Sequence, residues 1–130
     1  MGHVYVDVVF YNPIDYTEFI LGKRRFDDVR KVSSRSLVDT DAVFPALLED
    51  IVKELGLPIY GETEAETATG RERVRLAATV TQIEDGSAIS YIIVRSRGTT
   101  PLIGVVALEQ MGFRVDPLTG RLVKELPLMF

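Results

Sequence analysis

Turn signals recur so densely along this chain that no segment between them can grow into a long element. They fall at Asn12-Pro13, Gly22-Lys23, Ala68-Thr69-Gly70-Arg71, Asp85-Gly86, Gly98 to Pro101 and Pro117-Leu118-Thr119-Gly120. The stretches they bound are rich in Val, Ile, Tyr, Phe and Thr, residues that suit a pleated, half-buried surface. Val4 to Phe10 reads as a strand stopped at Asn12-Pro13. A short strand is expected over Thr17 to Leu21, then a solvated hairpin in the mixed-charge stretch Lys23 to Lys31, then a strand from Val32 to Val38.

Helical periodicity is confined to two places. Pro45 suits a first helical position, and Leu47, Leu48, Ile51, Val52 and Leu55 recur at the 3.6-residue period. Gly56 is placed for the C-terminal cap, and Pro58 prevents continuation. Glu49, Asp50, Lys53 and Glu54 fall on the outer face, so this helix is scaffold. Val105 to Gly112 reads as the second short helix.

The remaining segments pair as hairpins. Glu62 to Val80 is expected to fold at Ala68-Thr69-Gly70-Arg71, with Glu66 facing Arg73 and Glu64 facing Arg75 across an acidic and a basic arm. A solvated ribbon would show the same pattern. Asp85-Gly86 turns Leu76–Ile83 into Ala88–Val94, and Pro117 to Gly120 joins Phe113–Asp116 to Arg121–Lys124. The chain is therefore mainly β, a closed or partly closed barrel with two short helices. At 130 residues it is read as one domain spanning 1–130.

Composition removes whole classes of function. With 46% apolar residues the chain can bury a core, and its net charge of -4 offers no footprint for nucleic acid. The absence of cysteine excludes disulfides, thiol catalysis and thiolate metal sites, and suits a reducing compartment. No signal-peptide pattern opens the sequence and no stretch is apolar enough to span a bilayer, so a cytoplasmic protein with no membrane partner is expected. His3 is the sole histidine and lies at the chain start, so a histidine metal site or a Ser-His relay has no support. No glycine loop that could cradle phosphate appears. No metal or other cofactor is expected. Asp27-Asp28, Glu49-Asp50 and Glu84-Asp85 read as solvated surface. The apolar end Leu126 to Phe130 is expected to pack on the core or on a partner.

Two segments carry the chemistry. Ser36-Leu37-Val38-Asp39-Thr40-Asp41-Ala42 joins an apolar strand end to an acid, a hydroxyl, a second acid and a small residue. Pro101-Leu102-Ile103-Gly104, just before the second helix, is an apolar pair ending in glycine. Together they resemble the retropepsin-like aspartic proteases, and most closely the small single-domain prokaryotic ones. In that family an apolar-apolar-Asp-Thr-Gly-Ala loop supplies the catalytic acid, and an apolar-apolar-Gly segment packs beside it. This chain has Asp41 where the family has glycine.

The resemblance implies a retropepsin-like barrel with a flap hairpin, and an aspartic endopeptidase without cofactor. Asp39 would be the catalytic acid and Thr40 would hold two such loops together, with Asp41 and Ala42 completing the loop and Leu102, Ile103 and Gly104 supporting it. The Glu62–Val80 hairpin would be the flap, with its tip at Ala68, Thr69 and Gly70. Carboxylate proteolysis takes two acids sharing one proton, and the chain offers one Asp-Thr loop, so the implied enzyme is a homodimer acting on a polypeptide. A catalytically inactive dimerisation or peptide-binding module of the same fold is the alternative, since Asp41 stands in place of glycine. A generic barrel that binds a ligand as a monomer is a third.

Overall fold

A computed structural model describes residues 4–42, 44–67, 70–96 and 100–125. Strand β1 (Val4–Tyr11) pairs antiparallel along its whole length with β2 (Lys31–Val38), from Val4 opposite Val38 to Tyr11 opposite Lys31. The longest strand, β5 (Gly70–Ile83), pairs with β6 (Gly86–Arg95) and, through Val80–Gln82, with Val9–Tyr11 of β1. That second pairing closes the sheet on itself. Around the ring, β2 runs parallel to β7 (Leu102–Ile103), and β7 meets β3 (Ala46–Leu48). Strand β3 runs parallel to β6. Strand β4 (Gly61–Thr67) lies outside the ring as the second arm of a hairpin with β5.

The result is a mainly β barrel, closed because β5 is long enough to pair with β4 and then β1 along one edge while β6 occupies the other. Its interior is filled by Val8, Phe10, Leu47, Ala77, Ile92 and Ile103 together with Leu55 and Leu108 of the helices. The two expected helices are present as α2 (Glu49–Leu55) and α3 (Val105–Gln110). A hairpin of β8 (Phe113–Val115) and β9 (Leu122–Lys124) follows α3.

Several local expectations are corrected. Residues 17–20 belong to a helix, α1 (Pro13–Ile20), with Leu21 as its C-cap, rather than to a strand. Asn12-Pro13 starts that helix: Asn12 Oδ1 accepts the N–H of Ile14 at 2.9 Å and of Asp15 at 3.0 Å, and Pro13 has no N–H to orphan at the first turn. The charged stretch from Lys23 to Lys31 forms no hairpin. It makes a single 3₁₀ turn at Phe26–Asp28, and Arg24 and Arg30 fold back onto the buried Asp15 while Arg25 meets Asp27. Helix α1 covers the outer face of the barrel, where Tyr16 and Phe19 pack against Tyr11, Val29 and Val80.

Pro45 does not open a helix. Its carbonyl accepts the N–H of Ile93 at 2.9 Å, and residues 46–48 pair with Ile93–Arg95, so the sheet claims those residues and α2 begins only at Glu49. In the β4–β5 hairpin the register differs from expectation by two residues, which keeps the same face: Glu64 faces Arg73, Glu62 faces Arg75 and Glu66 faces Arg71. Thr67 pairs with Gly70, so Gly70 is already strand. The next turn has Glu84 and Asp85 at its centre, with Gly86 paired to Ile83. Gly86 is required by crowding, because a Cβ there would stand 2.7 Å from the carbonyl oxygen of Met111.

Candidate active site

The Asp39 loop begins where β2 leaves the barrel, and its geometry follows from the parallel pairing of β2 with β7. Leu37 lies opposite Leu102 and Val38 opposite Ile103. The Leu37 N–H donates to the Pro101 carbonyl at 2.9 Å, and the Asp39 N–H donates to the Ile103 carbonyl at 3.0 Å. The chain then turns: the Ala42 N–H returns to the Asp39 carbonyl at 3.1 Å, and the Val105 N–H donates to the Ala42 carbonyl at 2.9 Å. Two segments more than sixty residues apart are thus fastened at both ends of the loop. Ile103 and Gly104 are buried, so the loop rests on a dry, packed floor.

Within the loop the Asp39 side chain is held by its own backbone. Its Oδ1 accepts the N–H of Asp41 at 3.0 Å, which fixes the carboxylate while leaving the residue half-exposed. Thr40 and Asp41 are exposed and Ala42 is half-buried. Among the described residues Glu84 is the non-glycine with positive φ, so Asp41 occupies ordinary backbone space. The turn therefore does not depend on glycine at this position, and what Asp41 adds is a charge rather than strain.

The expected tip residues Ala68 and Thr69 lie outside the described residues, as does the apolar end 126–130; Gly70 begins β5 with φ +116°. The base of the hairpin is tied to the helix after the loop, with Arg75 Nη2 donating to Glu49 Oε1 at 3.1 Å. Nothing in the sequence signals this pair, since its members lie on separate elements. A groove of about 470 Å³ is lined by residues that include Asp7, Ser33, Arg35, Gln82 and Glu84 and by no residue of the Asp39 loop. Among the described residues no group of three or more acids and histidines converges as a metal site, and no helix is long and apolar enough to cross a membrane.

No protein-family model matches this chain, and no curated protein matches it. Among solved structures it is similar to the crystal structure of a retropepsin-like aspartic protease from Rickettsia conorii, with a TM-score of 0.56 over 88% of this chain and 77% of that one. The chain has a retropepsin-like fold. Identity over the match is 19%, so the likeness concerns architecture. In a retropepsin-like barrel of this order, the β2–β7 junction carries the Asp39 loop and the β4–β5 hairpin projects beyond the ring.

Proposed function

We propose that this protein is a cytoplasmic aspartic endopeptidase that works as a homodimer, each subunit contributing one Asp39. The observation that carries the reading is the anchored, half-exposed Asp39 carboxylate at the β2–β7 junction of a retropepsin-like fold. One carboxylate cannot both accept a proton from water and donate one to the peptide carbonyl, so the loops of two subunits must meet at a two-fold axis. Two carboxyl groups ~3 Å apart hold a single proton between them, because both cannot ionise there.

In the first step the ionised member takes a proton from a water whose oxygen bonds to the peptide carbon, while the protonated member gives its proton to the carbonyl oxygen. The tetrahedral adduct then loses its C–N bond: the nitrogen takes the proton from the carboxyl that deprotonated the water, one hydroxyl of the adduct gives its proton to the other carboxylate, and the dyad again holds one proton. Thr40 joins the two loops across the axis, and Leu102, Ile103 and Gly104 hold each loop from behind. The substrate lies extended beneath the β4–β5 hairpin, bound by strand addition.

A second reading rests on Asp41, whose exposed carboxylate follows Asp39 by two residues. In a dimer it would bring two further negative charges to the dyad, and the chain would then serve as a non-catalytic peptide-binding dimer. Cleavage of an unfolded protein from acidic to neutral pH separates the two. Wild-type activity lost in Asp39→Asn supports the protease, whereas an inert wild type and an active Asp41→Gly support the binding module.

A further inference from the structure

Strand β6 pairs with β5 from Gly86 to Val94, but on its other side it is partnered only in part. There β3 meets Ile93–Arg95 and stops, so among the described residues the stretch from Ser87 to Tyr91 has no neighbouring strand on that side. The Ile93 N–H points that way, donating to the Pro45 carbonyl at 2.9 Å. Backbone groups alternate sides along a strand, so the N–H and C=O groups of Ser87, Ile89 and Tyr91 point to the same open edge. Among the described residues none of them meets a hydrogen-bond partner there. Helix α3 does not fill the space, because it lies on the inner side, where Ala107 and Leu108 share the core with Ala88 and Ile92.

The side chains of the same residues turn outward. Ile89 is 64% exposed and Tyr91 49%, and the residues opposite them on that face, Val80 and Ala78, are apolar too. An unpaired edge that carries apolar side chains is a template for another strand, and folded proteins blunt or cover such edges. Strand β4, at the end of the sheet, is blunted by Glu62, Glu64 and Glu66. Ser87 to Tyr91 carries no charge at all. This edge is built to be covered.

A cover lies within reach in the same chain. The Glu125 N–H donates to the Gly112 carbonyl at 2.9 Å, Lys124 pairs with Asp85, and Gly86 lies against the Met111 carbonyl. At Glu125 the chain is therefore beside the β5–β6 turn, where the open edge begins. The next five residues are Leu126-Pro127-Leu128-Met129-Phe130, apolar throughout. Extended, five residues reach about 17 Å, and the edge from Ser87 to Tyr91 spans about 13 Å. Pro127 has no N–H, which suits an outermost strand: with Leu126, Leu128 and Phe130 turned to β6, Pro127 faces away from it. We infer that residues 126–130 dock on β6 as a parallel strand in line with β3, bonding to the backbone of Ser87, Ile89 and Tyr91 and covering the Ile89 and Tyr91 side chains. The docking is independent of the protease reading.

Residue-by-residue amide exchange, followed by NMR on the full chain and on a chain ending at Glu125, tests the docking. The Ile89 and Tyr91 amides should exchange about 100-fold more slowly in the full chain, while those of Ala88, Ser90 and Ile92, which face β5, change by less than about two-fold. A general loosening of the barrel would not produce that alternation. In the full chain the Leu128 and Phe130 amides should be protected and the Met129 amide not. Ile89→Asp, an outward change that leaves the β5 ladder in place, should remove the protection of Leu128 and Phe130, and it serves as the test if the shortened chain does not fold. Unprotected Ile89 and Tyr91 amides in the full chain, or protection that survives removal of residues 126–130, overturns the inference. So does protection that fades on dilution as light scattering shows copies separating, since the cover would then come from a second copy.

Discussion

Arg30 clamps Asp15 with three hydrogen bonds. Its Nε donates to Oδ2 at 2.8 Å, its Nη2 to Oδ1 at 3.1 Å, and its backbone N–H again to Oδ2 at 3.0 Å. Asp15 is 1% exposed and sits in the first turn of α1, so this clamp fastens the helix to the start of β2. The side-chain hydrogen bonds from Arg30, working against burial, hold the Asp15 carboxyl below the usual carboxylate range. A depressed folded-state value means stability is fully present above the unfolded pKa of about 3.9 and is lost as pH falls through the folded value. Asp15→Asn should therefore cost about 2 kcal/mol at pH 7, less than for a fully buried pair because Arg30 is half in water. Its stability should also decline less steeply than wild type below pH 4. Urea unfolding at pH 7 and in steps down to pH 3 checks both parts.

Gly56 depends on the same clamp. It closes α2 in the left-handed region at φ +64°, and its Leu55 and Gly56 carbonyls accept from Asn12 Nδ2. A Cβ at this position would stand 2.2 Å from Arg30 Nη1, and the guanidinium cannot swing aside without releasing Asp15. Gly56→Ala should cost about 1–2 kcal/mol from backbone strain alone, with a further penalty from the displaced arginine. The further penalty should vanish when Gly56→Ala is made in an Arg30→Ala background. Additive losses in the double variant would show that the two sites act independently.

How far the sequence reveals this molecule depends on the range of the interactions that decide each element. Strands β1, β2, β5 and β6 are legible because alternation and turn residues are local signals, and Gly56 with Pro58 marks the end of α2 for the same reason. Helix α1 was misread because Asn12-Pro13 suits both a turn and a capped helix start. What selects the helix is Arg30, fifteen residues beyond Asp15. Strand β3 was misread because Leu47 and Leu48 fit a helical period equally well, and only pairing to Ile93–Arg95 makes them strand. In the candidate site, Asp39 and the 102–104 segment were recognisable from motif, whereas the hydrogen bonds joining them required the parallel β2–β7 pairing. The pairing of Glu49 with Arg75 left no trace in sequence.

That last pair leads to a separable effect on the hairpin. Glu49 and Arg75 are both partly exposed, so their link contributes only about 0.2–1 kcal/mol to global stability. Its local effect should be larger, since it connects α2 to β5 where the hairpin leaves the barrel. Arg75→Gln should leave the unfolding midpoint nearly unchanged while hydrogen exchange of the amides in 61–67 and 71–76 speeds up several-fold. Exchange that rises equally in β1 and β2 would mean the substitution loosens the whole barrel instead.

Asp39→Asn separates the role of the carboxylate from its place in the fold. Asparagine keeps an Oδ1 that can accept the Asp41 N–H, so the loop's internal hydrogen bond survives, and the Asp39 N–H still reaches Ile103. Folding stability should then stay within about 0.5 kcal/mol of wild type. Proteolysis, by contrast, should fall by about 10³-fold or more, because an amide neither takes a proton from water nor returns one to the leaving amine. If the dyad spans two subunits, a mixed dimer with one Asp39 and one asparagine should be as inactive as the double substitution. Specific activity of wild type should also drop on dilution as dimers separate. A mixed dimer with half the wild-type activity, or activity independent of concentration in a molecule shown to be monomeric by light scattering, would mean that each chain carries a complete centre of its own.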